Sequence, residues 1–438
     1  MSYAPIQSEP TLNHQPQVHN KSLARGKHSS SSGNSSGRKT GQARRTEKHP
    51  GQSHPPIIVH CHLCWDWVWQ RPQQFISRLS QRHKVLFIET IGPDPELAAP
   101  LARFRQLPEF PNITVLRLQF PKWRWDDGDY IDLERRRLVQ EFLVGPFGRG
   151  FENPIQWFYD PMAVPSFAGH MGEILTVYDC MDELSRFRGA PPQIVERETE
   201  LLERADLVFA GGRRLFELKS QFHDNCHFYG CGVDGEHFGK ARAAQTVVPP
   251  ELASLSSPVL GYFGVVDERM DYELLAQLAE ARPSWSMVIV GPVTKVDPKL
   301  LPRKPNLHWL GQRAYDCLPA FCKGFDLCLM PFALNEATEF INPTKALEYL
   351  ATGREIISTA VPDVVHNFGS VVRIARTREE FLLLCEAALE QPDGERIARG
   401  LQMAQQNSWD AIVESLEGHV AQTLNEKRTA GARHESIL

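Results

Sequence analysis

The residues best suited to chemistry lie in one run, Asn342-Pro343-Thr344-Lys345-Ala346-Leu347-Glu348-Tyr349-Leu350-Ala351-Thr352-Gly353. Asn342 suits an N-cap, Pro343 the first helical position and Gly353 the C-terminal stop, so the run predicts a helix over 343–352. At about 100° per residue, Ala346, Leu347, Leu350 and Ala351 form a core-facing stripe, and Lys345 and Glu348 share the opposite face. A lysine in the first turn opposes the helix macrodipole at a cost of about 0.3–1 kcal/mol. An anion held at the helix N-terminus would account for that cost, because free N–H groups there bind phosphate. One turn deeper, Glu348 can accept both vicinal hydroxyls of a ribose. The bland alternative is an exposed helix with a Lys–Glu pair at i,i+3.

A second group follows a predicted strand at Leu175–Tyr178: Asp179-Cys180-Met181-Asp182-Glu183 carries three carboxylates in five residues. A carboxylate there can stabilise a developing cation or take a proton from a hydroxyl. Asp182 is the favoured catalytic candidate, since Asp179 follows the strand directly and is better placed to hold the loop. Otherwise the segment is a solvated acidic turn. A third group, Trp65-Asp66-Trp67-Val68-Trp69-Gln70-Arg71, follows the first strand at its carboxyl end, where α/β proteins bind ligands. Trp65 and Trp69 suggest a sugar-stacking surface and Arg71 an anion contact, unless the tryptophans pack their own domain. Asp66, His60 and Asp160 are further polar groups at strand ends.

His60-Cys61-His62-Leu63-Cys64 invites a zinc reading, but its spacing is irregular and Cys61 directly follows a buried strand. The expectation is no metal, with His60 or His62 facing an acceptor cleft instead. There is no Walker A motif, and no G-x-G-x-x-G follows a strand, which argues against a P-loop kinase and a nicotinamide dehydrogenase.

Four segments together resemble the donor-binding half of GT-B glycosyltransferases, especially the family-4 type and its bacterial exopolysaccharide relatives. Glu348-Tyr349-Leu350-Ala351-Thr352-Gly353-Arg354-Glu355-Ile356-Ile357 resembles their E-A-M-A-x-G-x-P-V-V stretch. Pro305-Asn306-Leu307-His308-Trp309-Leu310-Gly311 resembles the strand and loop beside the nucleobase. Gly261-Tyr262-Phe263-Gly264-Val265-Val266-Asp267-Glu268-Arg269 resembles the loop that approaches the diphosphate, and Trp409 a motif before the last helix. The resemblance implies a donor site of Gly264, Arg269, Gly311, Asn342, Thr344, Lys345 and Glu348. Val265 stands where that family has a basic residue, and Phe340 replaces the first Glu of E-x7-E, although Glu336 or Glu339 could still reach the sugar. The implied activity is transfer, with retention, from a nucleotide diphosphate sugar to a saccharide or lipid-linked acceptor, without a cofactor. A nucleotide-sugar 2-epimerase and an inactive sugar-binding scaffold share the fold and stay open.

These groups need a scaffold that brings strand ends together. Residues 55–240 alternate strands and helices from Ile57 onward, and 258–400 repeat the pattern, so the fold class is α/β with two Rossmann-like domains facing a cleft. Residues 241–257 lack periodicity and read as a linker, 401–425 as a helix crossing back, and 426–438 as a tail. The 438 residues are 42% apolar and 23% charged, ordinary for a globular chain. No run of 18 uncharged apolar residues and no N-terminal apolar segment exists, and nine scattered cysteines fit a reducing cytoplasm.

Residues 1–54 hold eight Lys/Arg against two Glu, a net +6 that leaves −11 for the rest of a chain totalling −5. Rich in Ser, Gly, Asn and Gln, they read as a disordered basic tail. Contact with an anionic membrane surface is one role for it, and the acidic remainder argues against nucleic acid as a partner. Deleting residues 1–54 should leave folding and catalysis in solution intact. A melting temperature lowered by several degrees would show that the tail packs on the first domain.

Overall fold

A computed structural model describes residues 54–435. Apart from His54, the basic tail lies outside these residues. The first sheet takes eight strands: β1 Ile57–Cys61, β2 Val85–Thr90, β3 Leu101–Leu107, β4 Phe110–Gln119, β5 Ile155–Phe158, β6 Leu175–Cys180, β7 Leu207–Ala210 and β8 Cys226–Phe228. Their order is β3-β4-β2-β1-β5-β6-β7-β8, parallel except for the β3–β4 hairpin. The second sheet holds β9 Val259–Phe263, β10 Ser286–Val290, β11 Leu307–Gly311, β12 Leu327–Met330, β13 Glu355–Thr359 and β14 Arg373–Ala375. It is parallel throughout, in the order β11-β10-β9-β12-β13-β14. Both are doubly wound: all five residues of β1, β9 and β10 are buried, as helices on both faces require.

The chain passes between the domains twice, and the two passages lie side by side. After β8 it crosses at Tyr229–Val233, and it returns at Asn407–Ser408, where Val233 N–H donates to Asn407 O at 2.8 Å. The first domain therefore ends near Phe228 rather than at 240, because Val233 and Phe238 are buried in the second core. Residues 241–257 are not a free linker either: Ala241 and Leu252 pack in that same core. The helix Gly394–Gln406, unforeseen in the sequence, runs through the expected boundary at 400 and sets Gly400 against Leu350. From Trp409 a helix runs to Glu435, through most of the expected tail, and buries Trp409, Val413, Leu416 and Val420 in the first core.

One ion pair fixes the first passage. Arg71, at the start of the helix Arg71–Leu79, gives Nε to Asp179 Oδ1 at 2.8 Å, with both side chains out of solvent. Its Nη1 donates to Tyr229 O at 2.6 Å and to Gly230 O at 3.3 Å, and its guanidinium lies 4.3 Å from the centre of the Phe75 ring. Removing one member of such a pair strands a buried charge, which typically costs about 3–5 kcal/mol. Asp179→Ala should therefore lower stability by roughly that much in urea unfolding, and Asp179→Leu combined with Arg71→Met by less. A loss of under about 1 kcal/mol for Asp179→Ala would show that the pair does not hold the passage.

Candidate functional site

The carboxyl ends of the two sheets face each other across the cleft. On the second domain, Gly264 and Gly291 follow β9 and β10 with φ of +142° and +153°. A Cβ at Gly264 would overlap the Lys345 side chain, and one at Gly291 would overlap the Gly264 carbonyl. Glycine is thus required where the backbone of these loops comes closest to a cationic side chain. Gly311, with φ of +70°, accepts from Gly291 N–H at 2.9 Å and ends the row.

The helix Lys345–Thr352 stands over this floor, anchored by Tyr349, whose hydroxyl accepts from Phe263 N–H at 2.9 Å. Lys345 and Glu348 project from it as half-buried side chains, and the described residues give neither a hydrogen bond nor an ion pair. Burial pushes the Lys345 pKa down, against the pull of the Glu348 charge. Burial pushes the Glu348 carboxyl up to about 7, opposed by Lys345. Arg269 is gripped by Asp267 through Nε at 3.0 Å and Nη2 at 2.7 Å, and that guanidinium holds the Asp267 carboxyl below its usual value although burial favours the neutral form. Here stand three groups able to meet an anion and a polyol: Lys345, Arg269 and Glu348.

Asn342 does not cap the helix. Its Nδ2 crosses the cleft to Gly211 O at 3.1 Å, and the first turn is led by Thr344 without a side-chain cap. Thr344 Oγ1 donates to Cys231 Sγ at 3.3 Å, beside the first interdomain passage. Both residues therefore contact the first domain or the passage to it. Glu336 and Glu339 do not reach into the cleft for a sugar either: they pair with Arg186 at 3.6 Å and Arg214 at 3.1 Å of the first domain.

The acidic loop of the first domain divides its three carboxylates among three tasks. Asp179 turns inward to Arg71 and is structural; burial raises its pKa and Arg71 pulls it back. Glu183 accepts from the buried Lys219 ammonium at 2.6 Å. Asp182 is left, half-buried, with its pKa raised by burial and lowered by the nearby charges of Arg269, His62 and Lys295. Among the shifts described, its carboxyl is the one of the three that feels charges of both domains.

Of the other expected acceptor groups, Trp65, His60 and Arg71 are buried within the first domain. Trp65 is 3% exposed and packs on Phe87 and Phe110, and Trp69 leans on Phe110. The Trp65 face thus closes the core, while Trp69 stays half-buried. His60 is 1% exposed, bonded to Gln156 at 2.6 Å between the rings of Phe158 and Phe167, with its pKa pushed down to about 3 by burial. Arg71 is spent on Asp179. Asp66 is exposed and pairs with Arg105 of the β3–β4 hairpin at 2.5 Å. His62, the alternative to His60, is the histidine beside Asp182, with Nδ1 3.2 Å from Tyr159 O. Gly291, Lys295 and Phe187 were missed. Gly291 had a signal, a glycine directly after a buried strand, as at Gly264; Phe187 had none. Among the described residues no cluster of three His, Cys, Asp or Glu could hold a metal ion, and no helix is long and apolar enough to cross a membrane.

Two Rossmann-like domains, a cleft between their carboxyl ends and a last helix returning to the first domain define the GT-B architecture. Solved structures with the same architecture are remote in sequence. Sucrose-phosphate synthase from Thermosynechococcus elongatus superposes with a TM-score of 0.64 at 15% identity, over 85% of this chain and 100% of that one. A UDP-forming α,α-trehalose-phosphate synthase from Burkholderia xenovorans gives 0.62 at 11%, over 84% and 99%. At such identities these likenesses establish the fold. In sequence, the chain is 25% identical over 258 residues to a Bacillus subtilis (strain 168) protein assigned to teichuronic acid biosynthesis as the glycosyltransferase TuaH. That match takes in 54% of this chain and 63% of the relative, so it spans less than two thirds of the relative's length. No family model matches the chain.

Because the Glu348 pKa is raised from 4.5 to about 7, the folded state holds a proton that the unfolded state releases earlier. Stability contributed by the neutral acid is present at low pH and falls as pH rises through that window. Glu348→Gln should thus exceed wild type by about 1–3 kcal/mol at pH 8 and match it near pH 4. Equal melting of the two proteins at both pH values would show that the carboxylate is not desolvated.

Proposed function

We propose that the protein is a glycosyltransferase that moves a sugar from a nucleotide diphosphate sugar to a saccharide or lipid-linked acceptor. The observation that carries this reading is the pair Lys345 and Glu348, one helical turn apart in the cleft over a glycine floor, neither held by a hydrogen bond or an ion pair, with Lys345 over the Tyr262 ring. Glu348 accepts the ribose hydroxyls, while Lys345 and Arg269 meet the diphosphate and neutralise charge that grows as it leaves. Glycine at 264 and 291 lets the phosphates approach the backbone. These side chains supply the charge stabilisation themselves, so the reading needs no resident cofactor.

Uridine is the base we assign, on the strength of fold neighbours described as UDP-forming. An envelope polysaccharide is the matching acceptor class, from the teichuronic acid role given to the sequence relative. A lipid-linked acceptor would bring the enzyme to the inner face of the membrane as a peripheral protein, where the net +6 of residues 1–54 favours anionic headgroups. Asp182 serves the acceptor side, either holding the incoming hydroxyl or balancing positive charge at the anomeric carbon, and His62 stands beside it.

Incubation with a panel of nucleotide sugars, followed by product analysis, tests the reading. Transfer or slow hydrolysis is expected; epimerisation, or no turnover of any donor, would overturn it. In the same assay Asp182→Asn should lower kcat by at least about a hundredfold while changing donor affinity little. Normal turnover by that variant would remove Asp182 from the chemistry.

A further inference from the structure

Phe187 belongs to the first domain but lies against the cations of the second. Its ring centre is 5.7 Å from the Arg269 guanidinium carbon and 4.9 Å from the Lys295 ammonium. Lys295 follows β10 in a left-handed backbone conformation, φ +59°, which a lysine adopts only where its surroundings impose it. Lys295 is exposed, and the described residues give its ammonium no ion pair, although Asp182 and Asp267 feel its charge; it faces the Phe187 ring. One residue before Phe187, Arg186 reaches Glu336 of the second domain at 3.6 Å. At its other end the loop is fastened, since Glu183 is held by Lys219 and accepts from Ser185 Oγ at 2.7 Å. Residues 184–190 therefore leave a fixed base, touch the opposite domain through Arg186 and Phe187, and turn back into the first-domain helix Ile194–Arg204.

We infer that Phe187 is a placeholder for the donor diphosphate, occupying the space that Arg269 and Lys295 share until an anion displaces it. This rests on the donor site proposed above and adds Lys295 to it. An aromatic face offers a cation its negative quadrupole, and here it lies against both the exposed Lys295 ammonium and the Arg269 guanidinium that Asp267 pairs. A diphosphate offers full charges and charge-assisted hydrogen bonds, and so outcompetes the ring. An anion that bridges both cations has to take the ring's place, and the 184–190 segment then moves with Phe187. The donor thus binds against a contact that the protein makes with itself.

Calorimetric titration with UDP, GDP and ADP tests this on wild type, Phe187→Ala, Phe187→Leu and Phe187→Tyr. Leucine keeps apolar bulk without the π-face, and tyrosine keeps the face. The alanine and leucine variants should bind their best nucleotide about threefold to tenfold more tightly than wild type, and the tyrosine variant equally well. If wild type binds but removing the ring leaves affinity unchanged or weakens it, the placeholder role is overturned and the donor site stands. If no folded variant binds any of the three nucleotides, the donor site and the inference fall together.

Discussion

Arg71 is surrounded by the parts that make two domains into one molecule. Its guanidinium neutralises Asp179 at the end of β6, covers Phe75 of its own helix, and ties down the carbonyls of Tyr229 and Gly230 where the chain leaves the first domain. An unpaired charge at that depth is prohibitive, so the pair can form only if the helix, β6 and the passage reach their positions together. The second passage is then fixed by one backbone hydrogen bond to the first, through Val233 and Asn407. Further contacts set the closure of the cleft: Asp363 accepts from the backbone of Arg213 at 2.7 Å, and Asn342 reaches Gly211.

The cleft itself leaves its charges poorly satisfied. Lys345 is desolvated without an ion pair, Glu348 holds its proton to about pH 7, and Lys295 has a ring where a carboxylate would serve it better. Burying Lys345 and Glu348 without a hydrogen bond or an ion pair lowers the stability of the folded protein. Structural carboxylates nearby behave differently: Asp267 and Glu183 have their cations within 2.7 Å. The cleft thus combines a paired cation, Arg269, with Lys345, which has no ion pair.

Buried parallel strands were legible in the sequence because their signal is local. β7, β9, β10 and β12 fall within the alternating stretches 55–240 and 258–400, each a short apolar run between polar punctuation. β3 escaped notice, since Leu101–Leu107 is an edge strand with four exposed residues in succession and no buried-strand pattern. The helix with Lys345 and Glu348 was legible for the same local reason. Partners distant in sequence were not. Asn342 has the right type and place for a cap, yet its bond goes to Gly211, 131 residues away. Arg71 and Asp179 both looked like site residues because nothing local shows that they pair with each other. Trp65 and Trp69 carry the same apolar payload whether they meet a sugar or Phe87 and Phe110, so composition alone could not choose.

The return of the helix Trp409–Glu435 to the first domain has a consequence for biosynthesis. Residues 233–406, with their own two-sided core, are inserted within the first domain rather than appended to it. The ribosome delivers the eight strands of the first sheet early, but Trp409, Val413, Leu416 and Val420 complete their hydrophobic cluster only after the whole second domain has emerged. Domains generally fold as units during synthesis, and exposed apolar surface on a waiting unit invites aggregation. The inserted domain can therefore finish first, while the earlier-made one keeps an open seam beside Phe75 and Phe209 until the final helix closes it.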